Sequence, residues 1–296
     1  MRASEFAIPG IDGSGLLRRP DGATIRGGVV ALHPAAPGTR EQPLFDHLAE
    51  TVTPLGFAVL SYDRRASVDG NDVPFELQAA DALAAIAALR TEIDAPVGLY
   101  GFSQGTWSAG VAASISTDVA FLALLGCCGV SPAVQMRYYT DELLRRNGYG
   151  DDDRARLRAL RLAAEDVLRG VGDREKVGAM LADAAGAPWF EHAYLPPELP
   201  PAEQRWDDMD FDPEPIYRKV TCPTLLMYGE DEECTPAGPS TEVWRRAADV
   251  AGNTDLTIVD VPGCGHFPAP QGSPMEREYI SPAYTQILTG WFDLRR

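Results

Sequence analysis

Six short apolar runs punctuate the chain: Gly28–His33, Phe57–Asp63, Pro96–Phe102, Val119–Leu125, Pro223–Gly229 and Asp255–Val261. Most are continuously apolar, as expected of central parallel strands covered on both faces. Longer helical patterns lie between them. Phe75–Arg90 puts Leu77, Ala80, Leu83 and Ala84 at helical spacing, and Ser281–Leu294 reads as a closing helix. Strands alternating with helices predict an α/β sheet. One stretch, from about Ser131 to Tyr217, contains no convincing strand. It opens with the helix-like YYTDELLRRNG and continues with a helix over Asp152–Arg169, acidic at its start and followed by Gly170. Pro- and Trp-rich chain follows. An insertion of that length between core strands is expected to be a substrate-contacting cap, against the plainer reading of a helical decoration that stabilises the sheet. The division that follows is a core of 1–130 and 218–296 with a cap of 131–217.

Chemistry enters at Gly101-Phe102-Ser103-Gln104-Gly105. This G-x-S-x-G comes straight after an apolar strand and just before a small-residue helix, TWSAGVAASIS. A serine on a sharp strand-to-helix turn needs small neighbours, and the turn holds its hydroxyl clear of the sheet at a helix N-terminus. A serine nucleophile needs a base, and there are four histidines, His33, His47, His192 and His266. His266, in Gly263-Cys264-Gly265-His266-Phe267 between the last strand and the closing helix, is the one whose loop can fold back over the strand ends. His47 reads as a partly exposed helix residue and His192 as a possible substrate contact. The base needs an orienting acid, and Glu230-Asp231-Glu232-Glu233 follows the strand that ends at Gly229. One of the four should turn inward to accept the Nδ1 proton of His266.

The order Ser…acid…His, on these elements, resembles a serine hydrolase of the α/β-hydrolase superfamily. The resemblance spans essentially the whole chain. It includes Asp12-Gly13-Ser14-Gly15-Leu16-Leu17 and Pro20, similar to the opening of esterase and acyl-peptidase-like members. Asp212-Pro213-Glu214-Pro215-Ile216 and Cys222-Pro223-Thr224-Leu225 resemble the approach to the strand after the cap. It implies an α/β-hydrolase fold, a mostly parallel central sheet flanked by helices, with the helical cap inserted after the sixth core strand. By the family's spacing the acid falls on Glu232, where relatives mostly carry Asp, with Asp231 the alternative; Glu230 and Glu233 are expected to be solvated. Relatives often show His-Gly in the oxyanion loop where this chain has His33-Pro34-Ala35. The resemblance makes the Ala35 and Gln104 amides the two oxyanion donors and leaves His33 as an anchor of the loop.

The implied chemistry is hydrolysis of a carboxylic ester through an acyl-enzyme. Peptide, amide or thioester cleavage and acyl transfer use the same intermediate and remain alternatives. So does a ligand-binding protein with a silent hydrolase fold. A dehalogenase is disfavoured because Ser103 stands where that chemistry has Asp. No cofactor is expected, since no G-x-G-x-x-G follows a first strand and no His/Cys/Asp cluster has zinc-ligand spacing.

Composition narrows partners more than chemistry. The 296 residues carry 26 Lys and Arg against 43 Asp and Glu, a net charge of −17, which argues against nucleic acid and anionic membranes. No run approaches the ~18 apolar residues of a membrane-spanning helix. The start, MRASEFAIPG, has no secretory pattern, and five cysteines without a C-x-x-C pair read as free thiols, so a cytoplasmic location is expected. Among the aromatic residues of the insertion, Tyr138, Tyr139, Trp189, Phe190, Tyr194 and Trp206 are candidates either for a substrate pocket or for core.

Overall fold

A computed structural model describes every residue except 12–13, 23, 37, 69–70 and 296. The Asp12-Gly13 of the opening motif and Pro37 of the oxyanion loop therefore lie outside the described residues. Eight strands form one sheet: β1 (Arg2–Ala7), β2 (Ser14–Arg19), β3 (Gly27–Leu32), β4 (Phe57–Tyr62), β5 (Val97–Phe102), β6 (Leu122–Leu125), β7 (Thr224–Gly229) and β8 (Leu256–Val261). Their spatial order is β1-β2-β4-β3-β5-β6-β7-β8. The β1–β2 and β2–β4 pairs are antiparallel, and every pair from β4 onward through β8 is parallel. Nine helices are described: α1 (Pro43–Val52), α2 (Phe75–Arg90), α3 (Gly105–Ile115), α4 (Pro132–Arg146), α5 (Asp151–Leu168), α6 (Arg174–Ala184), α7 (Glu214–Tyr217), α8 (Ala237–Ala251) and α9 (Pro282–Asp293).

The central strands are buried on both faces because their side chains alternate between two cores. On β3, Val30 and Leu32 enter one core, shared with α2, α3 and α8; Val29 and Ala31 enter the other, shared with α1 and α9. Two strands escaped the apolar pattern. RASEFA and SGLLRR each carry two charged residues, at the antiparallel end of the sheet, where β1 is the exposed edge and β2 lies between β1 and β4. The run at Asp255–Val261 forms the other edge and is only half-buried, with Asp260 turned to solvent.

Helix α2 keeps the predicted bounds but not the predicted face. Leu77 and Ala80 point outward, whereas Phe75, Ala79, Ala82, Ile86 and Leu89 are buried. With seven alanines in sixteen residues the helix is apolar nearly all round, so spacing alone could not choose its buried side.

Between β6 and β7 the chain leaves the sheet for α4, α5 and α6. The N-cap Ser131 accepts from the Val134 amide, Pro132 opens α4, and Asp173 caps α6 by accepting from the Lys176 amide. These helices enclose their own apolar cluster, including Leu144, Leu157, Leu160, Leu181 and Trp189. Helix α6 lies in sequence read above only as irregular chain. The end of the same stretch returns to the sheet: Tyr217 is fully buried in the first core and stacks on Trp244 with ring centroids 4.0 Å apart. Among the described residues no helix is long and apolar enough to cross a membrane.

Candidate active site

Strand β5 ends at Phe102 and α3 begins at Gly105, which leaves Ser103 and Gln104 to make the turn. Ser103 adopts φ +52°, a left-handed conformation that costs a non-glycine residue on the order of 1 kcal/mol or more. The two glycines of the motif are there for close approach. A Cβ on Gly101 would stand 2.9 Å from the Gly105 carbonyl oxygen, and one on Gly105 would stand 2.7 Å from the carbonyl oxygens of Leu32 and His33. Larger residues would push helix, strand and loop apart. The Ser103 amide donates to the Leu125 carbonyl at 2.9 Å, which ties the turn to β6.

The hydroxyl of Ser103 lies 2.9 Å from Nε2 of His266, and Nδ1 of His266 lies 2.8 Å from Oε1 of Glu232. Three loops at the C-terminal ends of β5, β7 and β8 thus meet, where open α/β sheets place their sites. Glu232 is buried at 8% exposure, and the same Oε1 also accepts from the Cys234 and Thr235 amides, each at 2.9 Å. The imidazole is enclosed and rests on the Phe102 ring, 5.1 Å between centroids. Burial pulls its proton affinity down, but the Cys234 thiol and the Glu232 carboxylate beside it outweigh burial and raise it well above the ordinary histidine range.

The other acids of the loop go elsewhere. Asp231 is exposed and forms a two-pronged ion pair with Arg146 of α4, at 2.9 and 3.0 Å. Glu233, expected to be solvated, is half-buried and accepts from the His266 amide at 3.0 Å, bracing the His266 backbone. Glu230 is exposed, and its carboxylate accepts from the Gly263 amide at 3.0 Å. Of the remaining histidines, His33 is buried with its ring edge-on to Phe45 and Tyr62. His47 bonds Thr285 across α1 and α9 at 2.8 Å. His192 sits against Tyr149, outside the walls of the cavities at Ser103.

Ala35 and Gln104 flank the serine and line the same cavity with it. Arg64, just after β4, links them. Its guanidinium donates to the Ala35 carbonyl at 2.7 Å and to the Gln104 side chain, whose amide in turn donates to Asp72 at 2.8 Å. The sequence reading passed over Arg64, although its place at the end of a parallel strand was a usable signal.

Two cavities open on Ser103. One, about 360 Å³, runs past Glu233, His266 and Pro270; the other, about 300 Å³ and mostly apolar, runs between Trp107, Met136 and Trp206. Tyr139, Tyr194 and Cys234 border both. Of the aromatic candidates, Tyr139, Tyr194 and Trp206 are therefore cavity walls, Trp189 and Phe190 pack in the cluster of the inserted helices, and Tyr138 reaches the Glu232 carbonyl at 3.4 Å. A larger hollow of about 720 Å³ beside Arg64 and Arg65 contains neither Ser103 nor His266. Among the described residues no group of three or more His, Cys, Asp or Glu side chains is placed to hold a metal ion.

A family model described as the alpha/beta hydrolase family matches residues 29–277. Curated protein sequences give no significant match. Among solved structures, the chain is similar to Est1E from Butyrivibrio proteoclasticus, with 16% identity, TM-score 0.56, and 100% and 99% of the two chains covered. It is similar to a proline iminopeptidase of Mycobacterium smegmatis, with 15% identity, TM-score 0.58 and 99% and 98% covered. A putative non-heme bromoperoxidase, BpoC, of Mycobacterium tuberculosis H37Rv is 18% identical with TM-score 0.57, each chain 97% covered. Identities this low carry the fold and leave the chemistry to the site.

Proposed function

We propose that this chain, which belongs to the alpha/beta hydrolase family, is a serine hydrolase that cleaves a carboxylic ester through an acyl-enzyme. The observation that carries the reading is the continuous link from Ser103 Oγ through His266 to the buried Glu232 carboxylate. Such a relay supplies a base of fixed tautomer, because Glu232 holds the proton on Nδ1 and leaves Nε2 free to accept. As Oγ attacks the acyl carbon, the Ser103 proton passes to Nε2 and the carbonyl electrons move onto oxygen. The amides of Ala35 and Gln104 serve as donors to that oxyanion, a role worth about 2.7–4 kcal/mol of barrier per donor. Collapse expels the alkoxide, which takes the proton from His266. Water then repeats the sequence on the acyl-enzyme and releases the acid and free Ser103.

The stretch 131–217 acts in this proposal as the cap. Support comes from Met136, Tyr139, Tyr194 and Trp206, all within it and all in the walls of the cavities at Ser103. An ester is preferred over an amide because its leaving group needs less protonation in the transition state. The free thiols Cys127, Cys128, Cys222, Cys234 and Cys264 favour a reducing, cytoplasmic setting.

The test is turnover of p-nitrophenyl acyl esters, a thioester and aminoacyl anilides by the native chain, Ser103→Ala and His266→Ala, with fluorophosphonate labelling in parallel. Ester turnover lost in both variants, and labelling lost in Ser103→Ala, is the expected result. Faster turnover of the thioester or anilides would replace the ester reading. An unlabelled, inactive native chain would overturn the enzyme reading itself.

A further inference from the structure

Beneath the inserted helices lies a cavity of about 380 Å³ with mostly apolar walls, among them Ala164, Leu168, Leu181 and Leu195. It shares Met136, Tyr194 and Trp206 with the apolar cavity that opens on Ser103, so these three side chains form a common wall. One member of the lining stands out chemically. Arg161 of α5 is only 3% exposed, yet its guanidinium makes a single hydrogen bond, to the Tyr194 carbonyl at 3.2 Å. Its buried Nε has no partner. Among the described residues no carboxylate is ion-paired with it.

The nearest acid on the same helix, Glu165, is also in the wall; its Oε2 is paired with Arg137 and lies 3.7 Å from Arg169, while its Oε1 has no hydrogen-bond partner. The other acid in the wall, Asp72, accepts from Gln104 and is paired with Arg64. The second cation in the wall, the exposed Arg205, bonds the backbone carbonyls of Ala202 and Gln204 through its side chain. The wall thus holds two cations, Arg161 and Arg205, beside two acids, Glu165 and Asp72, and among the described residues neither cation is ion-paired with an acid. A guanidinium this buried, with one hydrogen bond and an unpartnered Nε, is an arrangement that an apolar residue of similar size would normally improve on. An arriving anion resolves it.

We infer that this cavity is a subsite for a carboxylate carried on an apolar body, the far end of a substrate whose acyl carbon sits at Ser103. The inference rests on Ser103 being the nucleophile only for the word substrate; the binding itself does not. A carboxylate suits the site because a lone guanidinium offers two parallel donors to one planar anion. A phosphate dianion would bring a second negative charge beside Glu165.

Calorimetric titration of the full chain with hexanoate and with hexanamide, the same body without the charge, reads the site without turnover. The expected result is hexanoate at least about tenfold tighter, the gap closing to about twofold or less in Arg161→Gln and largely kept in Arg161→Lys. Melting temperatures of each variant are measured alongside. Should Arg161→Gln lose its fold, Arg161→Met fills the same space without a buried polar group and reads the same gap. Equal affinities in the native chain, no heat with hexanoate, or a gap that survives removal of the guanidinium would overturn the inference. Fluorophosphonate labelling separates the two readings: a chain that labels but does not discriminate the probes loses only the subsite, and one that discriminates but does not label loses only the nucleophile.

Discussion

Gly126 faces the imidazole of His266 so closely that a Cβ there would stand 2.6 Å from Cε1 and 2.9 Å from Nδ1. Gly126 also holds φ +62°, at the turn just after β6. Gly126→Ala therefore strains the turn and pushes the ring off the line between Ser103 and Glu232. A shift of about 1 Å at a reacting group can lower turnover about 100-fold. The expected outcome is a kcat reduced by about that factor with KM little changed, and slower fluorophosphonate labelling in a chain that still folds by circular dichroism. Unchanged kcat would mean that His266 is not the base.

The two neighbouring acids separate cleanly by mutation. Glu232→Gln replaces a buried acceptor bonded to His266 and two loop amides, so kcat should fall about a thousandfold or more, as loss of the acid does in serine triads. Asp231→Asn breaks only an exposed ion pair with Arg146, and should leave kcat within about twofold and stability within about 1 kcal/mol. Steady-state kinetics of both variants on one ester decide it. The reverse ranking would return the role to Asp231.

These two residues also mark where sequence stops being informative. The buried strands β3 to β7 are readable because burial on both faces writes an unbroken apolar run, whereas β1, the exposed antiparallel edge, and β2 beside it carry mixed polarity. Helix α6 hides because only Val177, Leu181 and Ala184 of its eleven residues are buried. Ser103 and His266 stand out through motif and element order. Within Glu230-Asp231-Glu232-Glu233, the family's spacing points to Glu232, but the residue types themselves do not distinguish the side chain that turns inward. That is decided by Arg146, far away on α4, which holds Asp231, and by the His266 amide, which holds Glu233. Arg161 is unreadable for the same reason: that its buried guanidinium has no ion pair among the described residues is a property of the packed helices.

Arg64 fixes the Ala35 carbonyl and the Gln104 side chain at once, and so sets the spacing of the two amides proposed to hold the oxyanion. It touches no reacting atom in this arrangement and acts as a positioning residue. Arg64→Ala should lower kcat about 10- to 100-fold with KM nearly constant, because the oxyanion exists only in the transition state. Arg64→Lys, which can keep one of the two contacts, should recover part of the loss. A change confined to KM would place Arg64 in ground-state binding instead.

The direction of the His266 shift fixes the pH profile. The proposed attack by Ser103 requires the neutral imidazole, and the affinity of His266 for its proton is raised above the ordinary value of 6.5. The rise of kcat/KM with pH should therefore centre above 6.5. Residual activity of Glu232→Gln should show that rise at lower pH, since the variant lacks the carboxylate that favours the cation. A profile centred at or below the ordinary value in the native chain, or unmoved in the variant, would contradict the assignment.

His33 carries the opposite sign. Burial, with Arg64 nearby, lowers its pKa from 6.5 to about 4, so the folded chain resists a proton that the unfolded chain accepts. Stability from this group is complete above 6.5 and is lost as pH falls toward 4, where the difference reaches about 3 kcal/mol. His47, lowered to about 4 by burial and by Arg277, adds to the same slope. His266 works against it, since its raised affinity stabilises the fold at low pH and the effect fades as pH rises through its folded value. Denaturant unfolding of the native chain and of His33→Gln at intervals from pH 7 to pH 4 isolates the His33 contribution. The native chain should lose about 3 kcal/mol more than the variant across that window. Parallel curves would mean that the buried ring is protonated as readily in the folded chain as in the unfolded one.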